Sequence, residues 1–163
     1  MKKFELTAEF VTNVFGKKLF RIKALVAFGD VEKGELGGFI EKEDNLSHDG
    51  NAWVYGNARV YGNAQVYGNA WVFGNAQVSG DARVYDAADY AVVKGFGRCF
   101  RTTTFFRCKD KILRVQCGCF YGDLAQFREI VKKTHGDSKY AKEYLAIADL
   151  MELHFSDECG GEQ

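Results

Sequence analysis

From Gly50 to Tyr85 the chain reads GNAWVY, GNARVY, GNAQVY, GNAWVF, GNAQVS, GDARVY, six hexapeptides in succession without an insertion. Alanine holds the third place of every unit (Ala52, Ala58, Ala64, Ala70, Ala76, Ala82), and valine the fifth (Val54, Val60, Val66, Val72, Val78, Val84). A period of six does not match the turn of an α-helix but divides evenly by the strand period of two. Each unit is expected to be a short Ala-x-Val-x strand followed by a Gly-Asn corner, with Ala and Val on one side and the variable residues on the other. Glycine and asparagine tolerate positive φ, so they suit a bend that recurs at every sixth residue. A small alanine at a fixed offset predicts a coil that always bends the same way, with valine filling its interior.

This repeat resembles that of the hexapeptide-repeat proteins, whose left-handed parallel β-helix is a triangular prism with three hexapeptides per turn. Ile40 and Leu46 fit as degenerate earlier positions. The resemblance implies that residues eighteen apart stack about 4.8 Å from each other, sorting the outward side chains into three faces. One face carries Trp53, Tyr55, Trp71 and Phe73; the second Arg59, Tyr61, Gln77 and Ser79; the third Gln65, Tyr67, Arg83 and Tyr85. The first is wholly aromatic and exceeds what a soluble monomer leaves bare. Cover by the chain's own flanks is expected first, then a subunit interface, then a ligand-stacking platform. Hexapeptide proteins commonly trimerise, so a homo-oligomer, with a trimer favoured, is implied.

The expected fold class is mainly β: a left-handed parallel β-helix with an N-terminal β cap, a C-terminal β-hairpin and a two-helix extension. Residues 1–49 are assigned to the cap and lead-in loop, 50–97 to the coils, 98–122 to a basic hairpin and 123–163 to an αα-hairpin with a polar tail. In the cap, the runs Phe10–Phe15 and Leu19–Phe28 predict a hairpin across Gly16-Lys17-Lys18. Thr102–Cys108 and Ile112–Cys119 predict another, turning at Lys109-Asp110-Lys111. Asp123 followed by Gln126 forms a capping box for a helix that stops at Gly136, and a second helix begins at Asp137 or Ser138.

Composition narrows the function. Lys+Arg 22 against Asp+Glu 22 gives a net charge of zero, which argues against a uniformly basic nucleic-acid binder. The apolar fraction of 47% and charged fraction of 27% exclude wholesale disorder. The start, MKKFELTAEFV, lacks the apolar run of a signal peptide, no stretch is long enough to span a membrane, and the five cysteines are an odd number. A cytoplasmic protein with reduced thiols is expected, without membrane contact.

Charge is uneven along the chain. Residues 94–114 hold seven cations against Asp110 alone, with Phe96, Phe100, Phe105 and Phe106 interleaved. Arg98, Arg101, Arg107, Lys109, Lys111 and Phe100 are the candidate binding residues for an anionic ligand. The competing expectation pairs them with the acidic segment 30–49, which carries seven acids and two lysines.

The resemblance also implies chemistries to test. Hexapeptide acyltransferases use a histidine base, and acetyl-CoA is their cofactor. Of His48, His135 and His154, only His48 lies beside the coils, so it is the candidate base. The carbonic anhydrases of this class bind zinc through three histidines on neighbouring coils, a spacing absent here; Cys117-Gly-Cys119 lacks the usual zinc-knuckle spacing, so no metal site is expected. The chain as a whole also resembles proteins of bacteria and their phages labelled only as hexapeptide or polymer-forming proteins. Together these imply a non-enzymatic oligomeric binding protein without a cofactor, its partner a host-defence protein or an anionic nucleotide. A CoA-dependent acyltransferase and a structural assembly module are the alternatives. If the basic segment is the site, binding survives His48→Ala and weakens when Arg98, Arg101 and Arg107 are neutralised together; a titration of each variant decides it.

Overall fold

In the structure, a computed structural model describing residues 2–98 and 100–156, the repeats form six short strands. These are β4 (Trp53–Val54), β5 (Arg59–Val60), β6 (Gln65–Val66), β7 (Trp71–Val72), β8 (Gln77–Val78) and β9 (Arg83–Val84). They pair in parallel with the strand three units on, so Val54 lies beside Val72, Val60 beside Val78 and Val66 beside Val84. The region is therefore a β-solenoid with one parallel stack on each of three sides. On each stack alternate residues donate to the carbonyl seventeen positions later, as from Trp53 to Ala70 (3.0 Å), Arg59 to Ala76 (2.9 Å) and Gln65 to Ala82 (2.9 Å), and the parallel register interleaves bonds that run back the other way. The Ala and Val columns are closed to solvent. The six repeat glycines all have φ between 57° and 71°, a region in which a Cβ is strained.

Ile40 and Leu46 continue the valine columns, but they pair with Val60 and Val66, twenty residues on instead of eighteen. The two extra residues fall between Leu46 and Val54, the stretch that carries His48. Upstream, β1 (Phe4–Thr12) and β2 (Lys18–Ala24) form the expected antiparallel hairpin. The next strand, β3 (Leu36–Ile40), pairs antiparallel with β2 and parallel with β5, fusing the hairpin to the second face. Phe4, Ile22 and Ala24 complete the apolar interior at this end.

Downstream, a four-stranded antiparallel sheet follows: β10 (Tyr90–Phe96), β11 (Arg101–Arg107), β12 (Leu113–Cys117) and β13 (Phe120–Asp123). The β11–β12 hairpin is the one expected from sequence. Tyr90–Phe96, read there as part of the coils, instead pairs with β11. Beyond Tyr85 the Gly-Asn corners cease, so an extended segment has nothing to turn it into another rung. Strand alternation makes β11 a shared wall: Phe106 belongs to the coil core, and neighbouring Phe105 to a second core built with the helices. Helix α1 (Leu124–His135) starts at the Asp123–Gln126 capping box and stops at Gly136, and α2 (Lys139–His154) is capped by Ser138. Among the described residues no helix is long and apolar enough to cross a membrane.

A parallel ladder leaves both the N–H and the C=O groups of alternate residues without a strand partner at its first rung and at its last. On two sides the first rung is covered by backbone: Phe39 and Glu41 donate to Ala58 and Val60, and Ser47 to Val66. On the first face a side chain does this, since Lys3 Nζ donates to Ala52 O (2.7 Å) and Gly50 O (3.3 Å). Lys3 is buried, with its ammonium 4.5 Å from the Phe28 ring centre. At the last rung the Gln77 N–H donates to Thr104 Oγ1 (3.0 Å) and the Tyr85 N–H to Asp89 Oδ2 (2.8 Å). On the first face the Tyr90 hydroxyl donates to Trp71 O (2.6 Å) and also bonds the Phe73 backbone. Each stack thus finds hydrogen-bond partners at both ends.

Burial pushes the Lys3 pKa down to about 8 from 10.5, with Asp49 opposing the shift. Below pH 8 the ammonium is charged in folded and unfolded chains alike, and its burial penalty is felt in full. Between 8 and 10.5 only the unfolded chain holds the proton, so stability rises with pH. The urea midpoint of the wild type is expected to climb relative to that of Lys3→Met across this window; parallel curves would contradict the assignment.

Candidate functional site

His48, the candidate base, is fully engaged. Its Nδ1 accepts the Lys3 backbone N–H at 3.0 Å, and its Nε2 lies 2.8 Å from Glu43 Oε2. Since a backbone N–H can only donate, the Nδ1 lone pair is taken and Nε2 carries the proton toward the carboxylate. The ring stacks on Phe4 with centroids 4.2 Å apart and 12° between planes. The hydrogen bond from His48 is the main reason the Glu43 carboxyl titrates below the usual range. A general base needs a free lone pair facing a substrate, and this geometry supplies none. His48 fastens the two-residue excess of the first coil to the start of β1. His135 packs against Tyr144 and His154 against Phe155, both among the C-terminal helices.

The basic segment does not converge. Arg101 and Arg107 lie at opposite ends of β11, about 20 Å apart at strand rise. Arg107 pairs with Asp89 (3.4 Å) and lies over the Phe155 ring, tying the sheet to the coil exit and to α2. Arg114 pairs with Asp110, whose carboxyl it holds below its ordinary range. Lys109 shares a surface groove with Asp44 and Asp81, while Lys111 sits in the turn at φ 69°. Phe100 is 66% exposed at φ 52° on the tip of the β10–β11 turn.

Arg98 and Arg101 do come together, both lining a cleft of about 380 Å3 between the sheet and the αα-hairpin. Its walls come from the β10–β11 and β12–β13 turns, including Cys117, Cys119 and Phe120; Phe127, Ile130, Val131, Thr134 and His135 of α1 and Tyr144 of α2 complete it. Glycines set this geometry. A Cβ on Gly118 would collide with the Arg101 guanidinium, and one on Gly97 with the Tyr144 ring. The β10–β11 turn is pinned to α2 by Tyr144 Oη donating to Phe96 O (3.2 Å) and by the Gly97 N–H donating to Glu143 Oε1 (3.0 Å). Arg98 lies over the Tyr140 ring at 5.8 Å. The lining thus combines two guanidiniums with the rings of Phe120, Phe127, His135 and Tyr144.

The aromatic face divides in two. Trp53 is fully buried, edge-on to Phe28 (5.3 Å) and Phe4 (6.4 Å) of the N-terminal region. Tyr55 is half-buried and meets Trp71 edge-on at 5.9 Å. Trp71 and Phe73, one rung on and beyond the reach of that cover, are 40% and 56% exposed. Among the described residues no group of three or more His, Cys, Asp or Glu side chains could hold a metal. Cys108 is buried, which pushes its thiol pKa up, whereas Cys117 is half-buried and Cys119 exposed. Cys99 and Cys159 lie outside the described residues.

A family model for the YdcK β-solenoid repeat matches residues 52–64, 64–78 and 76–88, which are the coils. The match shows what the coils are similar to, a repeat β-solenoid, and does not extend to the cap or the cleft. A search of curated proteins finds no match to the chain.

Two substitutions check these assignments. His48→Ala leaves the buried Lys3 N–H unpaired and removes the Phe4 stack, so thermal unfolding should report a loss of about 1–3 kcal/mol. Gly97→Ala adds backbone strain and displaces Tyr144, with an expected loss of about 1–3 kcal/mol and a collapsed cleft. Unchanged melting in either variant would refute the corresponding contact.

Proposed function

We propose that this protein is a non-enzymatic, oligomeric binding protein in which a rigid β-solenoid carries a small sheet-and-helix module that takes an anionic ligand. The observation that supports the reading is the cleft, which brings Arg98 and Arg101 of the basic segment together beside the rings of Phe120, Phe127 and Tyr144. The engaged ring nitrogens of His48 support binding over acyl transfer, the enzymatic alternative. Closed ends on all three stacks support a discrete oligomer over a growing filament. The exposed Trp71–Phe73 edge is the apolar surface for self-association, and a trimer is the stoichiometry the repeat favours. We read the coil as left-handed and as a member of the hexapeptide-repeat class, on the alanine corners and the uniformly positive glycine φ values. The phage association and a host-defence partner rest on the sequence resemblance alone.

Native mass spectrometry of protein purified from its host tests subunit number and retained ligand together. The expected result is a trimer holding an anionic small molecule, which is lost from an Arg98→Gln/Arg101→Gln variant and kept by Arg107→Gln. Acetyl-CoA turnover that disappears in His48→Ala would overturn the proposal in favour of the acyltransferase.

A further inference from the structure

We propose that Cys117 and Cys119 form a reversible dithiol–disulfide site that exchanges with low-molecular-weight disulfides of the glutathione type. The inference goes beyond the binding reading and does not depend on what the cleft holds. Cys117 ends β12 and pairs with Phe120, the first residue of β13, so Gly118 and Cys119 form a two-residue hairpin loop. Gly118 bends the loop at φ 60°, with glycine first as a tight hairpin turn requires. Residues two apart cannot have Cα atoms farther apart than about 7 Å, and a bend at the residue between them shortens that distance. The pair therefore falls within the Cα span that a disulfide bridges. Both cysteines also line the same cleft, beside Phe120.

Exposure sets the order of reaction. Cys119 is exposed and meets a dissolved disulfide first, whereas Cys117 is half-buried, its Sγ accepting a hydrogen bond from Thr103 Oγ1 at 3.2 Å. The Cys119 thiolate attacks one sulfur of the reagent and a new S–S bond forms. The reagent's own S–S bond breaks, and its first thiolate leaves and takes up a proton in place of the one Cys119 gave to solvent. Cys117 then gives up its proton and attacks Cys119 Sγ; the mixed disulfide breaks, and the second thiolate departs and is protonated. Two cysteine thiols are oxidised and one disulfide is reduced to two thiols, so electrons and protons balance. Cys108 stays out of the exchange, because burial hides it and pushes its thiol pKa up. Two thiols fall short of a zinc site, and among the described residues no third His, Cys, Asp or Glu completes one. A bridge across one residue in an exposed turn is of the labile kind, opened again by excess thiol.

The test incubates the full chain in glutathione buffers of rising disulfide fraction, blocks free thiols with N-ethylmaleimide and maps tryptic peptides by mass spectrometry. Cleavage after Arg114 and Arg128 leaves both cysteines in one peptide, Val115–Arg128. The expected product is that peptide two hydrogens lighter, carrying neither maleimide nor glutathione, and restored by dithiothreitol. Cys117→Ser should instead hold glutathione on Cys119 at roughly ten times the wild-type level, and Cys119→Ser should slow every reaction of the peptide roughly tenfold. Wild-type protein that keeps glutathione on Cys119, or whose peptide still takes two maleimides in the most oxidising buffer, would overturn the proposal. A bridge from either cysteine to Cys99, Cys108 or Cys159 would overturn it as well. The wild-type map decides the matter even where a variant folds poorly. None of these results bears on the anion proposed for the cleft, which stands or falls by the native mass spectrum.

Discussion

The parallel hydrogen-bond ladder that pairs residues eighteen positions apart is the constraint from which the rest of this molecule follows. Along the coils it satisfies the backbone of strands only two residues long, which could not pair stably alone. Where it ends, the alternate N–H and C=O groups of three rungs at either end face outward without a strand partner. Four of these six stack ends are met by backbone or by polar side chains such as Thr104 and Asp89. The first face has no adjoining strand at either end, and there Lys3 and Tyr90 stand in for one. The buried ammonium and the buried phenol are the two halves of one solution. Each is tolerated because an orphaned buried backbone group costs more than a well-bonded polar side chain.

Closure at the C-terminal end also creates the cleft. Covering the last rung with a sheet means that the sheet has a second face, and the strand alternation of β11 turns Phe105 outward as it turns Phe106 into the coil. That second face needs its own apolar cover, which α1 and α2 supply. Two helices on a four-stranded sheet do not fill the space near the β10–β11 and β12–β13 turns, where positive-φ glycines bend the backbone sharply. The guanidiniums of Arg98 and Arg101 border the gap. A requirement of the coil's hydrogen bonding thus ends in a recess lined by both arginines and aromatic rings.

The coils were legible in the sequence because their structural period is their sequence period, and each corner carries its own glycine. The helix caps at Asp123 and Ser138 were legible for the same reason: signal and consequence lie within one turn. What escaped was non-local. Lys3 and His48 bond partners 45 or more residues away, and nothing around either marks it as an end cap or a clasp. Tyr90–Phe96 alternates like a coil strand, and only the missing Gly-Asn corner set it apart. The basic segment misled in the opposite way, since charge counted along a chain ignores that a seven-residue strand holds its two ends far apart. The cleft drew on separate turns and on both helices, so its pair of arginines was visible and its walls were not.

The most direct test is a set of proton–proton nuclear Overhauser contacts across the coils of isotopically labelled protein. A three-sided winding predicts methyl contacts joining Val54 to Val72, Val60 to Val78 and Val66 to Val84, with amide exchange slowest on those strands. Contacts that instead connect consecutive hexapeptides in antiparallel register would describe a meander, and the faces, the end caps and the origin of the cleft would all be contradicted together.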